Sequence, residues 1–520
     1  MPTSTPHLDE KTLRWLPWVI AIAFFMQSLD GTILNTALPS MARSLAEDPL
    51  RMQSVVIAYM LTIALLIPAS GWIADRFGIK RIFFSAILLF SFGSLLCALS
   101  NSVNVLVGAR IIQGFGGALM LPIGRLIVLR VYPRSELVRI MGFITVPGLL
   151  GPLLGPTVGG WMVEYLSWHW IFLINIPVGI LGCYAVQHFI PDIAGGARTR
   201  FDGVGFILFG AAMVLITIAL EGLGELHLPH MRVVMLLFAG MGCLAAYWLR
   251  AGHIEAPLFA PSLFRTRTFA VGILGNLFAR LGSGALPFLM PLLLQVALGY
   301  SPSQAGMSML PLAAAGMFAK TIARWLIDHL GYRVILTGNT LLLGVLLASL
   351  GLVGEETPYW VLLVHLALLG AVNSLQFTAM NTVTLIDLDD ASAASGNSLL
   401  SVVAQLALSL GVACAAALLG GFTEDLGTGD GSNVLQAFQL TFLSVGVLAI
   451  FAAGIFLQLP AREERPNPRD NPRPGGLGAA IASKLAPTDP TNAATPVGVS
   501  LLAIFAAGIF LQLPAREEKT

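Results

Sequence analysis

Among the ionisable side chains that stand inside apolar stretches are Asp30, Arg110, Arg280 and Lys320. A charge there costs several kcal/mol unless it is paired or hydrated, so each is a functional candidate by default. An embedded carboxylate can take up and release a proton. Burial favours its protonated form and a nearby arginine its charged form. A conformational change that alters the separation of Asp30 and Arg110 therefore makes proton binding depend on state; the other reading is a static ion pair between two helices. Arg280 and Lys320 have no acidic neighbour in sequence before Asp328. They suit an anion-tolerant or anion-selective site, because buried like charges disfavour a bound cation. The alternatives are snorkelling for Lys320 and carbonyl pairing for Arg280. Gln27 and Asn35 flank Asp30 and are assigned to a substrate cavity. So are Asn373, Gln376 and Asn381, which share roughly one helical face with Thr384; a polar seam between helices fits those four equally.

These groups need elements to hold them, and composition says which. The 520 residues are 56% hydrophobic and 11% charged, against about 25% charged in a soluble domain. Lipid must be the solvent for most of the chain. Apolar runs of roughly 18 to 28 residues, long enough at about 1.5 Å per residue to cross about 30 Å of hydrocarbon, fall at 15–38, 55–73, 82–99, 105–129, 137–163 and 168–190. After a polar break at 191–202 come 204–223 and 233–249, then an amphipathic connector at 251–268. Six more follow at 269–298, 306–327, 334–353, 360–386, 399–422 and 437–459. The expected fold class is all-α polytopic membrane protein, with about fourteen spans arranged six, two and six. The expected domains are 1–190, a six-helix bundle; 191–268, a linker with two extra spans; 269–464, a second six-helix bundle; and 465–520, a tail.

Fourteen spans put both termini on one side, which carries Arg14, Arg76, Lys80, Arg81, Arg130, Arg139, Arg250, Arg265 and Arg333, while the other carries only Arg43, Arg51 and Arg232. The positive-inside rule makes the first side cytoplasmic, in the cell inner membrane. Lys11 and Arg14 precede a run too long for a signal peptide, so the first span is expected to stay. On this topology Asp30 lies about 15 residues, roughly 22 Å, into span one. Arg110 lies near the outer start of span four, at similar depth, and Arg280 about 17 Å into span nine. Cys97, Cys183, Cys243 and Cys414 all fall in apolar runs and suit neither a disulfide scaffold nor a metal site. No metal or other cofactor is expected. The net charge of +1 gives no hint of nucleic acid. Residues 448–464 recur letter for letter at 502–518, across a Pro- and Arg-rich stretch at 465–496. The copy is too short for a structural repeat and reads as a duplicated tail without a function of its own.

The loop after span two reads Gly71-Trp72-Ile73-Ala74-Asp75-Arg76-Phe77-Gly78-Ile79-Lys80-Arg81. Here Gly71 is expected to pack two helices closely, Asp75 to cap the next helix and the basic residues to pin one face. A degenerate copy, Arg324-Trp325-Leu326-Ile327-Asp328-His329-Leu330-Gly331-Tyr332-Arg333, follows span ten at the matching place. The pair resembles the loop signature of the major facilitator superfamily and implies two related six-helix halves. Leu29-Asp30-Gly31-Thr32-Ile33-Leu34-Asn35-Thr36-Ala37-Leu38-Pro39 resembles the first-helix signature of its fourteen-span drug:proton antiporters, the EmrB/QacA type. Arg110-Ile111-Ile112-Gln113-Gly114-Phe115-Gly116-Gly117 is similar to the arginine motif linked to proton coupling. Gly148, Gly151, Pro152, Gly155, Pro156, Gly159 and Gly160 resemble the antiporter motif, whose small residues let a neighbouring backbone approach. Trp168-His169-Trp170-Ile171-Phe172-Leu173-Ile174-Asn175-Ile176-Pro177 is also typical of the group.

The resemblance implies a proton-coupled exporter working by alternating access on a small-molecule substrate, with multidrug efflux as its usual service and the monomer as its usual form. It gives Asp30 and Arg110 to proton coupling. Gly71, Asp75, Arg76, Gly78, Arg81, Gly151, Pro152, Gly155, Pro156 and Asp328 go to conformational gating. Arg125, near the loop end of span four, is expected to snorkel or brace Asp75. A specific exporter of an organic anion or metal chelate is the runner-up, on Arg280 and Lys320. A transporter-like sensor would need a soluble effector domain, and an enzyme would need a nucleophile–base pair, phosphate loop or metal cluster; none of these is legible.

Overall fold

The computed structural model describes residues 10–192, 201–224, 230–426 and 431–460. The proline-rich stretch, the duplicated tail and most of the first polar break lie outside the described residues. Helices dominate and no strand occurs among the described residues, as the solvent dictates. In hydrocarbon each backbone N–H must find its partner within the segment, and the helix does this.

Fourteen helices are long and apolar enough to span. Spans one to six are Leu13–Thr36, Pro49–Phe77, Ile79–Ala98, Val103–Val131, Ser135–Tyr165 and His169–Phe189. Spans seven and eight are Gly203–Gly222 and Met231–Ala251. Spans nine to fourteen are Arg267–Ala297, Pro302–Leu330, Tyr332–Leu352, Tyr359–Leu385, Ser392–Leu426 and Asn433–Phe456. Every apolar run of the sequence is one of these. Most helices extend a few residues past the apolar run, because the polar ends reach into the interface.

Neighbours repeat between the first six and last six spans. Span one packs on five and six, two on four, and three on four and six; nine packs on thirteen and fourteen, ten on twelve, and eleven on twelve and fourteen. Two seams join the sets, span two against thirteen and span five against ten. Span seven leans on eight, two and thirteen.

Local chemistry explains the ends. Gly78 closes span two and opens span three at φ 93°, donating its N–H to Ala74 O; Gly331 does the same between spans ten and eleven at φ 77°, donating to Ile327 O. Both conformations suit glycine, so the paired loop motifs are the same backbone turn used twice. Span six is broken between the helices His169–Leu173 and Asn175–Phe189. The reason is Pro177, which has no N–H to give the carbonyl of Leu173.

Between spans eight and nine the connector holds no α-helix. It is a string of turns ending in the 3-10 segment Pro261–Arg265. Its apolar side chains Phe259 and Leu263 are buried, and Tyr247 of span eight accepts the Phe259 N–H at 2.8 Å. Asp202, ahead of span seven, accepts from Gly205 N–H at 2.8 Å, from Arg250 of span eight, and from Leu258 N–H of the connector at 3.2 Å. One carboxylate thus ties the extra pair of spans to the connector.

Candidate functional site

Asp30 and Arg110 meet. Arg110 Nη1 donates to Asp30 Oδ2 at 2.7 Å, and both side chains are shut away from solvent. Burying an isolated charge in this way is prohibitive, so the surroundings must complete the pair. Asp30 Oδ1 accepts from Gln113 Nε2 at 2.8 Å and from Asn175 Nδ2 at 3.1 Å. Arg110 Nη1 also donates to Gln113 Oε1 at 2.7 Å, and Nε reaches Val55 O at 3.4 Å. The guanidinium lies over the Tyr59 ring, 4.0 Å from its centroid, with Phe172 on another side. Ser94 Oγ accepts from both Gln113 Nε2 at 3.0 Å and Asn175 Nδ2 at 2.9 Å. Spans one, two, three, four and six therefore converge on one carboxylate.

Glycine makes the convergence possible. A Cβ on Gly93 of span three would sit 2.6 Å from the Gln113 Cα, and one on Gly114 2.8 Å from Thr62. On span five a Cβ at Gly151 would lie 2.7 Å from the backbone of Leu29, and ones at Gly155 and Gly159 would strike Thr32 and Ile33. Thr32 Oγ1 donates to Gly151 O at 3.3 Å. The glycines of span five thus seat span one, while Pro152 is exposed. Further along, Gly160 touches Pro302, and Gly306 touches Pro156 across the seam to span ten. Pro156 and Gly160 therefore serve the contact between the two sets of spans.

The second set carries a different centre. Arg280 Nε donates to Asn276 Oδ1 at 3.0 Å, and Nη2 to Asn381 Oδ1 at 3.4 Å. The guanidinium covers the Phe377 ring at 3.9 Å. Among the described residues no carboxylate lies within salt-bridge distance of it. Asn373, one turn before Phe377, is half-buried with Oδ1 unpartnered, as is Gln27 with Oε1 in span one. Asn35 is buried in the 3-10 turn Leu34–Thr36.

Several expected placements differ. Gln376 does not join Asn373 and Asn381: it is fully buried, accepting from Asn339 at 2.9 Å and donating to Thr340 Oγ1 at 2.7 Å, in the seam with span eleven. Helical geometry is the reason, since Asn373, Phe377 and Asn381 fall four apart while Gln376 points about 100° away from Phe377. Lys320 is exposed and forms no ion pair among those of the described residues, so it is not gathered with Arg280. Gly71 packs nothing closely: a Cβ there would meet open space. Asp75 pairs with Arg130 Nη2 at 2.7 Å, not with Arg125, and span three begins without a side-chain cap. Arg125, Arg76 and Arg81 are exposed. Arg324 and Asp328 stand 3.9 Å apart and largely exposed, which is worth little.

Sequence reasoning left Ser94, Tyr59, Asn276, Phe377 and Glu164 unassigned. Gln113 and Asn175 stood in quoted motifs without a role; their amide side chains inside apolar runs were the available signal.

The Major Facilitator Superfamily sequence model matches residues 20–411 and 272–516. A protein of Pectobacterium carotovorum named "Putative multidrug resistance protein MdtD" is 46% identical over 87% of this chain and 97% of its own length. Its namesake in Serratia proteamaculans is 47% identical over 86% and 94%. Among solved structures, a bacterial homolog of the human lysosomal transporter Spinster, inward-facing and unoccupied, superposes with TM-score 0.62 at 16% identity, covering 86% of this chain and 97% of that one. A POT family transporter in complex with 5-aminolevulinic acid gives 0.64 at 16%, covering 85% and 95%. With the matched sequence, the repeated neighbour scheme and the fourteen spans, the chain belongs to the major facilitator superfamily, as a multi-pass membrane transporter of the fourteen-span kind.

Proposed function

We propose that this transporter exports small molecules of the multidrug type by alternating access, driven by protons that move inward through Asp30. The observation that carries the reading is the buried Asp30–Arg110 pair with its two amide donors. The arginine and the two amides are partners for a carboxylate, and a proton on Asp30 would release its claim on Arg110. The names of the relatives that cover most of the chain support multidrug efflux. The loop end, with Arg76, Lys80 and Arg81, is cytoplasmic under the positive-inside rule, with both termini there, in the cell inner membrane. Two related halves, 1–190 and 269–464, rock about the seams between spans two and thirteen and between five and ten, and the unit works as a monomer. Proteoliposomes under an imposed pH gradient test this: drug accumulation that follows the gradient supports it, and accumulation indifferent to the gradient refutes it.

A second reading is favoured by Arg280, which has asparagine and phenylalanine neighbours but no acid among the described residues. It makes the cargo a small organic anion or its metal chelate. Competition between carboxylates and lipophilic cations for transport separates the two.

A further inference from the structure

We infer that Asn175 is a positioning residue for the proton-carrying carboxylate: its amide stays on Ser94 and holds or releases Asp30 as Asp30 loses and gains its proton. The inference rests on the proton-coupling reading above.

Three observations lead here. First, the side-chain nitrogen of Asn175 already donates to two acceptors, Asp30 Oδ1 at 3.1 Å and Ser94 Oγ at 2.9 Å. Ser94 offers a hydroxyl, which can accept or donate by rotating. It is the partner that remains whichever protonation state Asp30 holds. Second, all three groups are buried: Asn175 is 2% exposed, Ser94 0% and Asp30 1%. The donors to the carboxylate here are protein side chains, Arg110, Gln113 and Asn175. Third, Asn175 stands one residue past the helix His169–Leu173 and opens Asn175–Phe189, where the backbone stays helical through Ile174 and only the Leu173 carbonyl loses its partner, since Pro177 has no N–H.

The division of labour follows from the atoms. Arg110 holds Oδ2, and Gln113 is occupied on both ends, by Asp30 and Ser94 through Nε2 and by Arg110 and the Cys97 thiol through Oε1. Asn175 alone of the donors to Asp30 has no tie to Arg110, so it can keep or release the carboxyl while the arginine moves. The titratable and charged groups around Asp30 are Arg110 from span four, Tyr59 from span two beneath the guanidinium, and Cys97 from span three against Gln113. Span five faces span one with glycines, and span six with Asn175.

The experiment is infrared difference spectroscopy of the purified full chain in lipid, titrated between about pH 4 and 9, a range that brackets carboxyl groups shifted by burial. The carboxyl stretch absent from Asp30→Asn reports the protonated Asp30. Asn175→Leu removes the donor while keeping the number and branching of heavy atoms. The expected result is a midpoint moved to alkaline pH by about one unit, the scale of one hydrogen bond to a charged group, with Asn175→Gln staying nearer the parent. Should Asn175→Leu fail to insert, Asn175→Ser, too short to reach Asp30, reads the same shift. A parental midpoint in both the leucine and serine variants overturns the inference. A wild-type protein with no titrating band assignable to Asp30 overturns instead the proton-coupling reading beneath it.

Discussion

Glu164, at the end of span five, accepts the backbone N–H of Ser303, at the start of span ten, at 2.9 Å. Around this contact Thr157 Oγ1 donates to Gly306 O at 3.2 Å, Gln295 Nε2 donates to Thr36 O at 2.8 Å, and Gly160 touches Pro302. The two sets of spans are thus closed on each other at the end away from the Asp75 loop, by side-chain-to-backbone hydrogen bonds and by a close approach at Gly160 that a side chain would block.

A side chain at Gly160 cannot be housed while that end is closed. Gly160→Leu is expected to leave the protein inserted but to hold this end apart, abolishing transport. Cysteine labelling at Thr36 with a membrane-impermeant maleimide should rise several-fold. Unchanged labelling with active transport would show that the seam is looser than its contacts imply.

Asp30→Asn keeps an acceptor for Arg110 but removes the charge and the proton. Gradient-driven export should vanish, and stability should fall by about 3 kcal/mol or more, since Arg110 is left buried without a counter-charge. Normal accumulation under a pH gradient in an inserted mutant would remove Asp30 from the mechanism.

Arg280 bears on cargo charge. At an effective dielectric of about 20, a unit charge 4 Å away contributes about 4 kcal/mol before desolvation, and about 1.4 kcal/mol is tenfold in affinity. Carboxylates or neutral compounds should outcompete quaternary ammonium dyes. Arg280→Ala should weaken anion transport tenfold or more, and exposed Lys320→Ala less. Ethidium exported well, with anions ignored by wild type and both variants unaffected, would sink the idea.

Asp202 gives a pH dependence outside the spans. Burial opposes its charge, but the hydrogen bonds from Gly205, Arg250 and Leu258 outweigh it and hold the carboxyl below its usual value. A folded-state value below the unfolded one means stability that is complete above about pH 4 and lost as pH falls through the folded value. Proteolysis of the connector 251–266 should accelerate below about pH 4 in the wild type, whereas Asp202→Asn should be cut faster than wild type at neutral pH with little further change on acidification. Equal cleavage of the two at pH 7 would remove this carboxylate as the anchor.

Class and span count were legible because hydrocarbon imposes a one-dimensional rule: each crossing needs its own apolar run, and each run can be read in isolation. The repeat was legible through two loops, since a left-handed glycine at Gly78 and Gly331 is a local demand of the chain. Even the Asp30–Arg110 pairing could be expected, because a lone charge in lipid must find its opposite. Rotation about helix axes was not legible. Whether Gln376 looks toward Asn381 or toward Asn339, whether Gly71 meets a neighbour, and whether Arg125 or Arg130 takes Asp75 depend on which faces of neighbouring helices abut, and lipid-facing and protein-facing residues are equally apolar. The amides of Gln113 and Asn175 could be seen in sequence, but their convergence from spans four and six on one oxygen of Asp30 is decided by five helices packing at once, to distances that glycines set.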